Sequence, residues 1–99
     1  MKLWLDDVRT PPDETWTWVK TCQEAMNRLV YNDVVHVSFD HDLGTELTGY
    51  DLAKEIEKMA YHRILPSITW SIHSANPVGR RNIEMAMRNA DKYWGKIDS

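Results

Sequence analysis

The chain holds a single cysteine, Cys22, among its 99 residues. An internal disulfide framework and a cysteine-based zinc finger are therefore both excluded. Long hydrophobic runs are missing too: no stretch approaches the roughly 18 apolar residues of a membrane span. The opening Met1-Lys2-Leu3-Trp4-Leu5-Asp6-Asp7 turns acidic too early for a signal peptide. The expectation is a cytoplasmic protein that does not engage a membrane. Nor is there an excess of positive charge. Lys and Arg number 12 against 15 Asp and Glu, a formal charge of −3, which argues against broad, sequence-blind binding to nucleic acid. Repeats, low-complexity tracts and linker-like stretches are absent. Residues 1–99 read as a single domain with one core, leaving a small enzyme, a ligand-binding module or an interaction domain.

What is present alternates. Leu3-Trp4-Leu5 is a short apolar run that stops at two aspartates, as a buried strand does. Thr10-Pro11-Pro12-Asp13-Glu14 breaks structure, and Trp16-Thr17-Trp18-Val19 reads as a second strand. Thr21-Cys22-Gln23-Glu24 is a capping box opening a helix with Ala25, Met26, Leu29 and Val30 on its core stripe. Val34 to Phe39 is a third strand. A similar cap at Thr48 starts a second helix, with Leu52, Ala53, Ile56, Met59 and Ala60 at helical spacing. Ile68 to Ile72 is a fourth strand. Asn76-Pro77 caps and starts a third helix through Ile83, Met87 and Ala90, stopped by Gly95. Strands alternating with helices predict an α/β fold with a largely parallel sheet. The link from Asp7 to Thr15 is too short for a helical crossover, so the second strand lies at an edge or runs antiparallel. Trp4 and Trp70 read as core. Trp16 and Trp18 do too, unless the site takes a nucleotide base for them to stack on.

Three strands run into chemistry. Asp6, Asp7 and Arg9 follow the first; Asp40, His41 and Asp42 the third; His73, Ser74 and Asn76 the fourth. Ligands of open α/β sheets bind beyond the carboxyl ends of the strands, and helix N-termini beside that crevice attract phosphate. Converging carboxylates repel unless a cation or protons neutralise them. Asp6, Asp7, Asp40 and Asp42 are thus candidate ligands for a divalent metal, Mg²⁺ or Mn²⁺, with Zn²⁺ or Fe²⁺ open if imidazole joins them. His73 and His41 titrate near neutrality and are the candidate acid–base residues. Arg9, Ser74, Asn76 and the start of the third helix at Gly79 and Arg80 are the candidate phosphate contacts. His36 and His62 read as structural or solvated.

The ordered motifs Leu3-Trp4-Leu5-Asp6-Asp7-Val8-Arg9-Thr10-Pro11-Pro12, Ser38-Phe39-Asp40-His41-Asp42-Leu43-Gly44, Thr48-Gly49-Tyr50-Asp51 and His73-Ser74-Ala75-Asn76-Pro77-Val78-Gly79 resemble the cyclic-phosphate processing receiver-like domains. These are small relatives of response-regulator receivers in bacteria and their phages. The resemblance implies a minimal receiver, flavodoxin-like sheet of four strands in the order 2-1-3-4 with three helices, without the fifth strand and its helix. It implies Mg²⁺ at Asp6 and Asp7, the phosphoacceptor position at Asp40 and the receiver hydroxyl at Ser74. The receiver lysine of the fifth strand has no counterpart, and His41 and His73 are additions, which favours catalysis at a phosphate over phosphorelay. The leading expectation is a metal-dependent phosphoesterase opening a cyclic nucleotide or a 2′,3′-cyclic phosphate end; in a phage it would remove a cyclic-nucleotide alarm signal. The alternatives are a module that sequesters a cyclic nucleotide uncleaved, and a degenerate receiver acting through a partner surface. A site this open on so few residues leaves room for a second subunit, so a homo-oligomer is kept as an expectation.

Overall fold

A computed structural model describes residues 1–96. The elements run β1 (Lys2–Leu5), β2 (Trp16–Val19), α1 (Cys22–Tyr31), β3 (His36–Phe39), α2 (Gly49–Tyr61), β4 (Thr69–Ile72) and α3 (Pro77–Tyr93). The four strands form one sheet in the order β2-β1-β3-β4, every neighbouring pair parallel. This is the parallel α/β sheet that the strand–helix alternation predicts, in the strand order that the resemblance implies. β2 lies at an edge, and the antiparallel alternative is excluded.

Local chemistry sets the helix starts. The Thr21 hydroxyl accepts from the Glu24 amide, Thr48 and Asp51 form a reciprocal capping box, and the Asn76 side chain accepts from the Gly79 amide ahead of Pro77 at the first turn. Gly95, at φ +80, follows the last turn of α3 in the left-handed conformation. One expected core position on the helices fails. Val30 is 61% exposed, because α1 turns Cys22, Ala25 and Leu29 inward instead. No helix among the described residues is long and apolar enough to cross a membrane.

The topology puts all three helices on one face. From β2 to β3 and from β3 to β4 the chain steps across the sheet in the same direction. Right-handed crossovers in one direction place their helices, α1 and α2, on the same side, and α3 packs along α2. The step from β1 to β2 goes the other way, so a helix there would cover the second face. Residues 6–15, which make that step, contain none. Side chains therefore divide by strand parity. Leu3, Leu5, Val19, Val37 and Phe39 join the helices in a single core, each fully buried aliphatic or aromatic side chain contributing about 1.5–3 kcal/mol. Lys2, Trp4, Trp16, Trp18, His36, Ser38, Thr69 and Ser71 point the opposite way.

Trp4 is covered on that second face, by His73 stacked at 3.7 Å and by its own indole N–H donating to the Arg9 carbonyl at 2.9 Å. Trp16 and Trp18 do not enter the core cluster, contrary to the expectation from their type. They stay partly exposed because a loop, not a helix, follows β1.

Candidate functional site

Register assembles the site. Leu5, Phe39 and Ile72 are aligned across β1, β3 and β4, so the next residues, Asp6, Asp40 and His73, emerge side by side. Backbone bonds lock them there: the Asp40 amide donates to the Leu5 carbonyl and the His73 amide to that of Phe39, both at 2.9 Å. A cleft of about 400 Å³ opens beyond them. Asp6, Asp7 and Arg9 line it from β1, Asp40, Asp42 and Gly44 from β3, and Ser74 and Asn76 from β4.

Three carboxylates meet in this cleft. One oxygen each of Asp6, Asp7 and Asp40 lies within 4.8 Å of the others. Asp6 is 2% exposed. Burial pushes its carboxyl up, but the amides of Val8 (2.9 Å) and Arg9 (2.8 Å) and the Nε2 of His73 (3.1 Å) outweigh this and hold it below the usual range. For Asp40 the balance reverses: burial and the neighbouring Asp6 charge push it up, against the amide of His41 and the hydroxyl of Ser74. An all-oxygen, anionic donor set of this kind suits a hard divalent cation. Asp42 is not part of it. Its side chain is 68% exposed and accepts from His41 Nδ1 (3.0 Å) and Asn76 Nδ2 (3.3 Å), which holds it at the cleft rim.

The two histidines differ. His73 is held on both sides. Its Nε2 donates to Asp6, so its Nδ1 accepts from the Ser38 hydroxyl at 2.8 Å, while Trp4 covers a ring face. Burial lowers its pKa, partly offset by Asp6. It stands behind the carboxylates, and neither it nor His41 is among the residues that line the cleft. His41 leans on the start of α3, where a Cβ at Gly79 would sit 2.3 Å from its Cγ. Its Nδ1 faces Asp42, and its Nε2 has no partner among the described residues.

Three expected phosphate contacts are committed elsewhere, Ser74 through its one hydroxyl proton on Asp40. The Gly79 amide is already taken by the Asn76 side chain at 3.0 Å, so that glycine makes room for His41 and offers no donor. Arg80 donates through Nη1 to the carbonyls of Ile72 and Ser74, tying down the β4 loop. Arg9 remains available: 57% exposed, it anchors one nitrogen on the His73 carbonyl at 3.0 Å. Three contributors escaped the sequence reading: Ser38, Trp4 as a histidine support, and Gly49, where a Cβ would lie 1.9 Å from the Asp40 carbonyl oxygen. The glycine just after a threonine cap was the available signal for the last.

A parallel β2-β1-β3-β4 sheet with an acidic pair after β1, a buried aspartate after β3 and a hydroxyl after β4 defines a receiver-type α/β domain. The chain belongs to the cyclic-phosphate processing receiver domain family, whose match extends over residues 1–89. Neither the curated proteins nor the solved structures yield a match.

Proposed function

We propose that this domain hydrolyses a cyclic phosphodiester, in a cyclic nucleotide or a 2′,3′-cyclic phosphate end, with Mg²⁺ or Mn²⁺ as cofactor. The observation that carries this reading is the convergence of Asp6, Asp7 and Asp40 in a cleft at the strand ends, in a family associated with cyclic-phosphate processing. Asp6, Asp7 and Asp40 would hold the cation, which when bound supplies Lewis-acid neutralisation of phosphate charge.

The rest falls to the chain. Arg9 and the Asn76 amide nitrogen bind and orient the phosphate oxygens, Arg9 supplying the positive charge, while the Ser74 hydroxyl stays on Asp40. Water adds to phosphorus, one ring P–O bond breaks, and the proton released by the water ends on the departing oxygen. His41, with its Nε2 unclaimed and its Nδ1 set against Asp42, moves that proton. His73 is a positioning residue here: both ring nitrogens are engaged, and through Nε2 it fixes Asp6, as imidazole–carboxylate pairs do behind metal ligands.

The test is to incubate the purified protein with cyclic mono-, di- and oligonucleotides and 2′,3′-cyclic ends, in Mg²⁺, Mn²⁺ or EDTA, and to read products by mass spectrometry. The expected result is gain of one water on one substrate class, lost in EDTA and in Asp40→Asn. Intact ligands under every condition overturn the enzyme, and tight binding without cleavage replaces it with a sequestering module.

A further inference from the structure

The second face of the sheet presents a patterned surface that nothing in the cleft chemistry explains. Parallel sheets are normally covered on both sides, and their strands then read as aliphatic runs. Here the side without helices carries tryptophan, histidine, serine, threonine and lysine in two rows. Trp4, Trp18, Ser38 and Ser71 form the row next to the cleft, where Trp4 and Ser38 are buried beneath His73, and Lys2, Trp16, His36 and Thr69 form the row beyond. His36 bridges the Thr69 and Ser71 hydroxyls at 2.6 and 3.0 Å, and Trp16 meets both Trp4 and His36 edge to face at 5.5 Å. Lys2 and Lys20 rest their ammonium groups over the Trp16 and Trp18 rings, at 4.3 and 4.6 Å. The Trp4–His73 stack joins this surface to Asp6 and the cleft.

We propose that this face is a nucleobase platform, on which the unpaired bases of a single-stranded RNA stack while its terminal phosphate enters the cleft. The proposal rests on reading the cleft as a cyclic-phosphate site, and it names the molecule that carries the phosphate. Indole faces give sequence-tolerant stacking, and the lysines over them meet the backbone phosphates once bases displace them. Extent argues for a strand over a mononucleotide. Alternate residues of a strand are about 6.6 Å apart, so the second row stands roughly 13 Å from the cleft, farther than the base of one cyclic nucleotide reaches from its own phosphate. Size argues against a second copy of the chain. Four strands about 4.8 Å apart and four residues about 3.3 Å apart make roughly 250 Å², against the ~800 Å² that each partner of a standard interface buries. Two copies would also set Lys2 and Lys20 against their own kind. The overall charge of −3 excludes a broad basic face, so on this platform Lys2 and Lys20 beside the two indoles are the cations that meet the backbone.

The platform is tested apart from the cleft with a fluorescein-labelled hexaadenylate ending in a 3′-hydroxyl, followed by anisotropy in EDTA. The proposal expects binding at least tenfold tighter than that of 2′,3′-cyclic AMP. Trp16→Ala weakens it about tenfold, Trp16→Phe retains most of it, and Lys2→Glu lowers both affinity and salt dependence. Circular dichroism melts confirm that each variant is folded, and Lys2→Glu, at a surface position, serves if Trp16→Ala is not. Hexaadenylate binding no tighter than the mononucleotide, or unchanged in Trp16→Ala and Lys2→Glu, overturns the platform. So does a Trp16-dependent dimer in sedimentation, which assigns the face to a second copy. Trp16-dependent strand binding with every cyclic phosphate left intact upholds the platform and removes the cleft reading. Opening of 2′,3′-cyclic AMP as efficiently as of a hexanucleotide with a 2′,3′-cyclic end upholds the cleft and removes the platform.

Discussion

Replacing Asp40 by asparagine makes the protein more stable in EDTA at neutral pH, although Asp40 is buried and hydrogen-bonded. One oxygen each of Asp6, Asp7 and Asp40 lies within 4.8 Å of the others. At that distance a pair of like charges costs about 1 kcal/mol in bulk water and about 3.5 kcal/mol at the effective dielectric of a protein surface. Asparagine is nearly the same shape and can still accept from the His41 amide through its side-chain oxygen, so most of the hydrogen bonding survives. Allowing for a weaker contact with Ser74, the net gain is about 1 kcal/mol, a rise in Tm of roughly 4–8 °C for a domain of this size. The sign with pH follows from Asp40 itself. Burial and Asp6 raise its folded pKa above the ordinary value of 3.8, so its contribution to stability is present at low pH and lost as pH rises through the folded pKa. The gap between variant and wild type is therefore widest at neutral pH and closes on acidification. If the proposed cation binds there, Mg²⁺ or Mn²⁺ is expected to reverse the order. A cation at a hundred times its Kd stabilises the wild type by about 2.7 kcal/mol, while the variant, with one anionic ligand fewer, gains much less. Thermal melts in EDTA and in Mn²⁺, from pH 4 to 8, measure all of this. A variant that melts below the wild type in EDTA at pH 7, with an undiminished Mn²⁺ shift, refutes the argument.

The remaining predictions concern the supports of the site. Gly49→Ala places a Cβ 1.9 Å from the Asp40 carbonyl oxygen; backbone cannot yield as a side chain does, so urea denaturation should show a loss of about 3 kcal/mol. Thr48→Ala removes one half of the α2 capping box and should cost about 1 kcal/mol, with wild-type affinity for Mn²⁺ as the accompanying check. His73→Ala frees Asp6 from its Nε2 partner and should weaken Mn²⁺ affinity about 10- to 100-fold; calorimetric titration giving the wild-type Kd would show that His73 does not position the ligand.

Much of this molecule was legible along the chain because its signals are local. Thr21, Thr48 and Asn76 announce their helices through short-range hydrogen bonds, and β1, β3 and β4 end where apolar residues give way to aspartate or histidine. The strand-end rule then places Asp6, Asp7 and Asp40 together, as the aligned register of β1, β3 and β4 does. Side-chain partners were not legible in the same way. Asp42, two residues after Asp40, shares its loop but turns to His41 and Asn76, since spacing carries no direction once the strand has ended. Gly79 and Arg80 follow a real helix start, yet Asn76 consumes the amide of one and two carbonyls hold the other; competition for hydrogen bonds is settled in three dimensions.

The tryptophans teach the larger point. Composition puts aromatic side chains inside, and burial of Trp4 agrees. Yet the connection from β1 to β2 is too short for a helical crossover, which leaves the face that helix would cover without a layer. Side chains on that face then have only His73 and the segment after β1 against them, which bury Trp4 and Ser38 but leave Trp16 and Trp18 partly exposed. Their sequence neighbours already say so: Lys2, His36, Ser38, Thr69 and Ser71 alternate with the core residues of the same strands. A parallel strand that alternates polar and apolar residues is a strand covered on one side only. Read together, connection length and alternation predict a face without a helical layer, on which Trp16 and Trp18 stay partly exposed.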